Sequence, residues 1–280
     1  MKKSTYLTLS ALFGALTLSH SAFAGPILYG LTFNGHQLIR IDATNAATVA
    51  ASLSVGTVAG TTGSELARRG SDLYAFDQFN PDTFRKIDPA NATTIGAPTL
   101  AGIDIFGEGG LAFQASGDAF LSNSNQGVGT LYRCTNVAIN NSCFVVGALA
   151  ISMDGLAFDA AGVLYGLSQS PTGTGQPTLY TINPFTAAIV TQIGSTGVDG
   201  VNTAGLTFDR CTRVLYGAIG SKLYTISTSN GAASLVGTTA FGNYAGLADS
   251  PEPCGNVPEP ATLALLGLGI AAAGLLRRKQ

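Results

Sequence analysis

The side chains of this 280-residue chain able to carry chemistry are two histidines, sixteen carboxylates and four cysteines. His20 lies in an N-terminal segment expected to be removed. That leaves His36, in Asn34-Gly35-His36-Gln37, as the one imidazole of the mature chain. A Ser-His-Asp hydrolase would have to use His36, yet no nucleophile-elbow pattern accompanies it. A solvated turn residue is the simpler reading, and no catalytic residue is assigned. The cysteines lack CxxC spacing and have one histidine to join them, so a zinc site is not expected. Phe106-Gly107-Glu108-Gly109-Gly110 is glycine-rich, but it leads into a strand and no Gly-Lys-Ser/Thr follows, which makes it a tight turn and not a phosphate loop.

The elements that must position these groups come next. Between Gly25 and Asn256 the chain has fifteen acidic and nine basic residues, a net charge of −6. Phosphate binding needs basic patches, so a nucleic-acid partner is excluded. With 36 glycines, 46% hydrophobic and 11% charged residues, the composition fits a globular chain rich in turns.

Both ends read as addresses. Lys2 and Lys3 precede an apolar run from Leu7 to Leu18, and Ala22-Phe23-Ala24 supplies the small residues that signal peptidase reads. Residues 1–24 are thus a secretory signal peptide. At the other end, Pro258-Glu259-Pro260 is followed by an uncharged stretch, 261–276, and then by Arg277-Arg278-Lys279. Sixteen helical residues reach about 24 Å, enough to span with snorkelling basic flanks, and the basic cluster should stay cytoplasmic. These residues closely resemble the PEP-CTERM sorting signal, a Pro-Glu-Pro motif, a transmembrane helix and an Arg-rich tail. The resemblance implies a Gram-negative bacterium that makes exopolysaccharide. It also implies exosortase, a cysteine transpeptidase of the inner membrane, which processes the chain near Pro258-Glu259-Pro260. It implies no activity for the body, residues 25–256.

That body repeats. Leu28-Tyr29-Gly30, Leu73-Tyr74-Ala75, Ala119-Phe120-Leu121, Leu164-Tyr165-Gly166 and Leu215-Tyr216-Gly217 place an aromatic residue at intervals of 45, 46, 45 and 51. A second short apolar element follows each, then an Ala/Thr/Val stretch ending at glycine. The fourth element is Gly110-Leu111-Ala112-Phe113, Gly155-Leu156-Ala157-Phe158, Gly205-Leu206-Thr207-Phe208 and Gly246-Leu247-Ala248-Asp249, with a degenerate copy at Glu65-Leu66-Ala67. Such elements, rich in β-branched and aromatic residues and bounded by turn residues, are strands. Four of them per period of about 45 make a β-propeller blade. The order resembles that of NHL-like secreted propellers, which implies that the Gly-Leu-Ala-Phe strand is innermost. The mature chain starts on a second strand and ends on an innermost one, so the last strand should complete the first blade and close a five-bladed, all-β ring. An open arc of five repeats has the same sequence signature.

In this arrangement the turns around one channel mouth collect Glu65, Asp77, Asp104, Glu108, Asp154 and Asp199, with amides such as Asn123 and with His36 nearby. Oxygen ligands of this kind suit calcium, although no dedicated calcium loop is present and an acidic solvated surface explains them equally. Tyr29, Tyr74, Tyr165, Tyr216, Phe113, Phe158 and Phe208 recur and are expected to pack between blades. Phe33, Phe79, Phe106, Phe241 and Tyr244 fall near the same mouth, where aromatic rings can stack on a ligand. Export makes disulfides available. Cys134 and Cys143 flank one hairpin turn, and Cys211 and Cys254 follow innermost strands of adjacent blades, so the expected pairs are Cys134–Cys143 and Cys211–Cys254.

The function this favours is a non-catalytic binding or scaffolding module, anchored in the inner membrane and then sorted to the envelope, surface or matrix. Exopolysaccharide or an envelope protein is the expected partner. The alternative is a secreted glycan hydrolase or lyase with its site at the channel mouth.

Overall fold

A computed structural model describes residues 25–59, 65–77, 82–96, 98–102, 105, 109–125, 128–135, 137, 142–168, 175–199 and 203–252. The expected signal peptide and the whole of the sorting tail lie outside these residues, as do Phe79, Asp104, Phe106, Glu108 and Cys254. Among the described residues no helix is long and apolar enough to cross a membrane.

Five antiparallel four-stranded sheets form the body. Blade 1 contains β1 (Ile27–Thr32), β2 (Gln37–Asp42) and β3 (Leu53–Thr57). Blade 2 is β4 (Glu65–Arg69), β5 (Asp72–Asp77), β6 (Thr83–Ile87) and β7 (Thr99–Leu100). Blade 3 is β8 (Leu111–Phe113), β9 (Ala119–Asn125), β10 (Val128–Thr135) and β11 (Ser142–Leu149). Blade 4 is β12 (Met153–Phe158), β13 (Leu164–Ser168), β14 (Thr178–Ile182) and β15 (Ile189–Ser195). Blade 5 is β16 (Thr203–Asp209), β17 (Val214–Ile219), β18 (Lys222–Ile226) and β19 (Ala233–Thr238). The last strand, β20 (Tyr244–Asp249), pairs with β1 in the register Leu28↔Asp249 and Leu31↔Gly246. It is the innermost strand of blade 1, so the ring is closed by the two ends of the body and the open arc is excluded. Pairing with β20 covers the edge of β1, which would otherwise be open to another chain.

The core of this fold is a set of seams, not a centre. Each of the five buried apolar clusters joins residues of two neighbouring blades. Tyr74 of blade 2 packs on Phe113 of blade 3 at 5.3 Å between ring centres, and Phe120 on Phe158 does the same at the next seam, at 5.2 Å. The recurring aromatics are therefore packing residues, in geometries that add to their area burial.

Glycines set how close the innermost strands come. A methyl group on Gly155 would lie 2.7 Å from the Leu206 Cβ, and one on Gly205 would lie 2.7 Å from the Leu247 nitrogen. Gly110 meets the backbone of blade 4, and Gly246 that of blade 2, in the same way. The fifth place in this ring belongs to Glu65, the degenerate copy seen in the sequence.

One element departs from the repeat. Between β2 and β3 the turn is replaced by a short helix, α1 (Ala46–Ala50). Asn45 accepts hydrogen bonds from the Ala47 and Thr48 nitrogens, while the Thr48 hydroxyl accepts from the Asn45 nitrogen. This reciprocal cap pairs backbone donors that a helix start leaves open.

Candidate functional site at the upper mouth of the channel

The innermost strands all run in one direction around the channel. Their N-terminal ends, with the C-terminal ends of the second strands and the N-terminal ends of the third, define an upper mouth. Among the described residues this mouth has five carboxylates, Glu65, Asp77, Asp82, Asp154 and Asp199, against two cations, Arg85 and Lys222.

Glu65 begins β4 and is buried, at 5% exposure. Asp77 ends β5, is also buried, and lies 3.8 Å from the Arg85 guanidinium. Residue pairing puts Glu65 opposite Phe76. Side chains alternate along a strand, so Glu65 and Asp77 leave opposite faces of the blade although they stand at the same end.

The position of Asp77 explains itself by comparison with the other blades. Thr32, Asn123 and Ser168 end or nearly end the equivalent second strands. The Thr32 hydroxyl accepts from the Gln37 nitrogen at 3.0 Å, the Asn123 carbonyl from the Thr130 nitrogen at 2.7 Å, and the Ser168 hydroxyl from the Thr178 nitrogen at 3.0 Å. Each ties down the third strand just as it starts. Asp77 occupies that clasp position in blade 2 and there engages Arg85.

Asp154 sits at a bulge, since Met153 pairs with Ser168 and Gly155 with Leu167. The extra residue is buried at 6% exposure. Blade 3 holds its corresponding end with Ser122, whose hydroxyl donates to the Met153 carbonyl and accepts from the Gly110 nitrogen, both at 2.8 Å. Asp199 is exposed and accepts from the Gln176 amide at 3.3 Å, which places it on the outer rim of blade 4. His36 is in the β1–β2 turn with a left-handed backbone, φ 47°, and its carbonyl accepts from the Val58 nitrogen at 2.9 Å. Its Nδ1 is buried without a hydrogen-bond partner. Among the described residues no three His, Cys, Asp or Glu side chains are grouped so as to hold a metal ion.

Tyr244 departs from the expectation of a stacking residue. Its ring covers Gly30, where an added methyl would be 2.6 Å from the Tyr244 Cε1, and only 1% of the residue is exposed. Burial pushes its phenol above the ordinary tyrosine value, with Thr239 pulling weakly the other way. Phe33 remains 42% exposed at this mouth.

The cysteines behave as the hairpin predicts. Cys134 and Cys143 are directly paired across β10 and β11, with Cα atoms 4.0 Å apart, and form a disulfide. Cys211 is disulfide-bonded too, while its expected partner Cys254 lies outside the described residues.

The sequence does not single out Arg85, Asp82 or Ser122. Asp82 accepts from the Ile105 nitrogen and Ser122 bridges two strands, yet each is an isolated polar residue in a loop or strand. Only alignment of the five repeats marks such positions.

Residues 256–279 match the PEP-CTERM protein-sorting motif. No curated protein matches the chain in sequence. Among solved structures, a protein of unknown function from Bacteroides caccae is similar with a TM-score of 0.52 and 11% identity, over 81% of this chain and 100% of that one. The PQQ-bound aldose sugar dehydrogenase from Streptomyces coelicolor has a TM-score of 0.49 and 17% identity, over 82% of each chain. A GH43 glycoside hydrolase, engineered for endo-xylanase and exo-arabinofuranosidase activity, has a TM-score of 0.47 and 12% identity. The match covers 63% of this chain and 41% of the hydrolase, so the chain spans less than half of that relative's length. At such identities the likeness is one of fold.

Proposed function

We propose that this chain is an exported, exosortase-sorted propeller that acts at the surface or in the extracellular matrix as a non-catalytic binding or scaffolding module. Signal peptidase releases the N-terminus, the tail holds the protein in the inner membrane for a time, and exosortase processes it near Pro258-Glu259-Pro260. The sorting motif at 256–279 is the observation that supports this route.

For the body, the support lies in what the upper carboxylates already do. Asp77 fills a clasp position that threonine, asparagine and serine fill elsewhere, and Glu65 stands in a ring of glycines. A glycosidase needs two carboxylates facing one sugar, about 5–9.5 Å apart. Glu65 and Asp77 leave opposite faces of their blade and so do not form such a pair with each other. The partner we expect is exopolysaccharide or an envelope protein, with calcium as a candidate ion for the acidic face as a whole.

Replacing Pro258-Glu259-Pro260 with alanines tests the sorting half. The altered protein should fold and be exported but stay in the inner-membrane fraction, because the apolar segment survives while the recognition element does not. Appearance of processed protein at the surface would overturn this half of the proposal.

A further inference from the structure

The repeat is broken at one seam, on the opposite mouth of the channel. In blades 3, 4 and 5 the innermost strand places Phe113, Phe158 and Phe208 at one equivalent position, near its C-terminal end. In blades 2 and 1 the same position holds Arg68 and Asp249, as their strand pairing shows. An aromatic residue serves this position in three blades, so charge here is not demanded by the fold. A buried ion pair adds little stability over such packing.

The Arg68 Nε donates to the Asp249 carboxylate at 2.7 Å, and the carboxylate is almost wholly buried. Thr207 of blade 5 supplies a hydroxyl to the Asp249 nitrogen at 3.0 Å, so three blades meet at this residue. Arg210 follows the end of β16 beside them. Its Nη2 donates to the Glu252 carbonyl, but its Nε is buried with no hydrogen-bond partner. Arg210 lies in the fields of Arg68, Asp249 and Asp209, and burial together with Arg68 holds its pKa below the usual arginine value. Asp209 is engaged locally, by the Thr212 nitrogen at 2.8 Å and by the Thr212 hydroxyl. Arg69, the next residue of β4, turns the other way and donates from its Nε to the Gly117 carbonyl of blade 3 at 3.0 Å. Arg68 thus pairs with Asp249 and, through Nη1, with the Gly70 carbonyl, while Arg210 lies in the field of the same carboxylate with its Nε unused.

We propose that Arg68 and Arg210, beside Asp249 at the lower mouth, form a binding site for a carboxylate-bearing ligand such as a uronic-acid sugar. An arginine Nε–H is half of the fork that clasps a planar carboxylate in two parallel hydrogen bonds. Phosphate is the poorer fit, because its second negative charge would face Asp249 and Asp209. This site is separate from the upper mouth, and neither reading depends on the other.

The test is calorimetric titration of the mature full-length chain with tetragalacturonate at low salt. Saturable binding is expected, weakened at least tenfold by Arg210→Gln and unchanged by Lys222→Gln, which removes one cation from the upper mouth. The methyl ester of the same oligomer should not bind, and inorganic phosphate should compete less well than monomeric galacturonate. Arg210→Lys covers the case in which the glutamine variant fails to fold; it keeps the charge, loses the fork and should weaken binding. No saturable binding, equal affinity for the ester, stronger competition by phosphate, or equal loss in Lys222→Gln would each overturn the proposal.

Discussion

Gly155→Ala is the sharpest perturbation of the ring. The new methyl would sit 2.7 Å from the Leu206 Cβ, 3.0 Å from the Leu206 nitrogen and 3.2 Å from the Gly205 carbonyl carbon. Ordinary contact begins near 3.4 Å, so β12 and β16 must separate by several tenths of an ångström. Two of the three neighbours are backbone atoms of a strand held on both sides, so the strain has no flexible side chain to relax it. Overpacking typically costs about 1–3 kcal/mol, and this geometry belongs at the upper end. Loss of glycine's freedom in the unfolded chain offsets about 0.5 kcal/mol. The net loss of about 2.5 kcal/mol lowers Tm by roughly 5–10 °C in a body of this size. Gly162→Ala is the control. Gly162 has φ 83° with nothing within 4 Å of an added methyl, so only backbone strain opposes that change. Its net cost is about 0.5 kcal/mol, or roughly 1–2 °C. Thermal melts of the two variants followed by circular dichroism decide the matter. A Gly155→Ala protein that melts no lower than Gly162→Ala would refute close packing of the innermost strands.

Further predictions concern the seams. Arg68→Ala strands a buried aspartate and should cost about 3–5 kcal/mol, whereas Arg68→Phe with Asp249→Phe, which copies the other blades, should recover most of it in denaturant unfolding. Burial holds the Asp249 carboxyl above its ordinary value of 3.8, against the opposing pull of Arg68 and Arg210. An acid raised in this way contributes stability that is complete below the unfolded value and is lost as pH rises through the folded one. Asp249→Asn cannot ionise, so its unfolding free energy relative to wild type should improve as pH is raised from about 3 to 6; a constant difference would contradict the shift. Replacing Cys134 and Cys143 together with alanine opens a loop of sequence separation 9 and should cost about 2–3 kcal/mol on the chain-entropy account, read as a lower urea midpoint.

The ring was legible because its signal is repeated. Five aromatic positions at a steady interval define the blades, and the order of elements at the two ends requires β20 to pair with β1. Glycine spacing likewise marked the innermost strands. Other features depend on contacts that no local pattern encodes. Arg68 and Asp249 are 181 residues apart in sequence, and they meet only because the ring closes. Glu65, Asp77 and Asp154 read in the sequence as turn residues, which should be solvated. Instead all three are buried, which periodicity within one blade does not foretell. Helix α1 has a readable cap in Asn45 and Thr48, but at five residues it is too short for a periodic pattern to announce it.

Incubation of the purified mature protein with exopolysaccharide from its own producer is the most direct test of a binding role. Co-sedimentation would measure the bound fraction, and a reducing-end assay on the same samples would measure cleavage. Saturable retention with no reducing ends above the protein-free control is expected. Reducing ends that accumulate with time, and disappear in Glu65→Gln or Asp77→Asn, would contradict the account and make the upper mouth an active site.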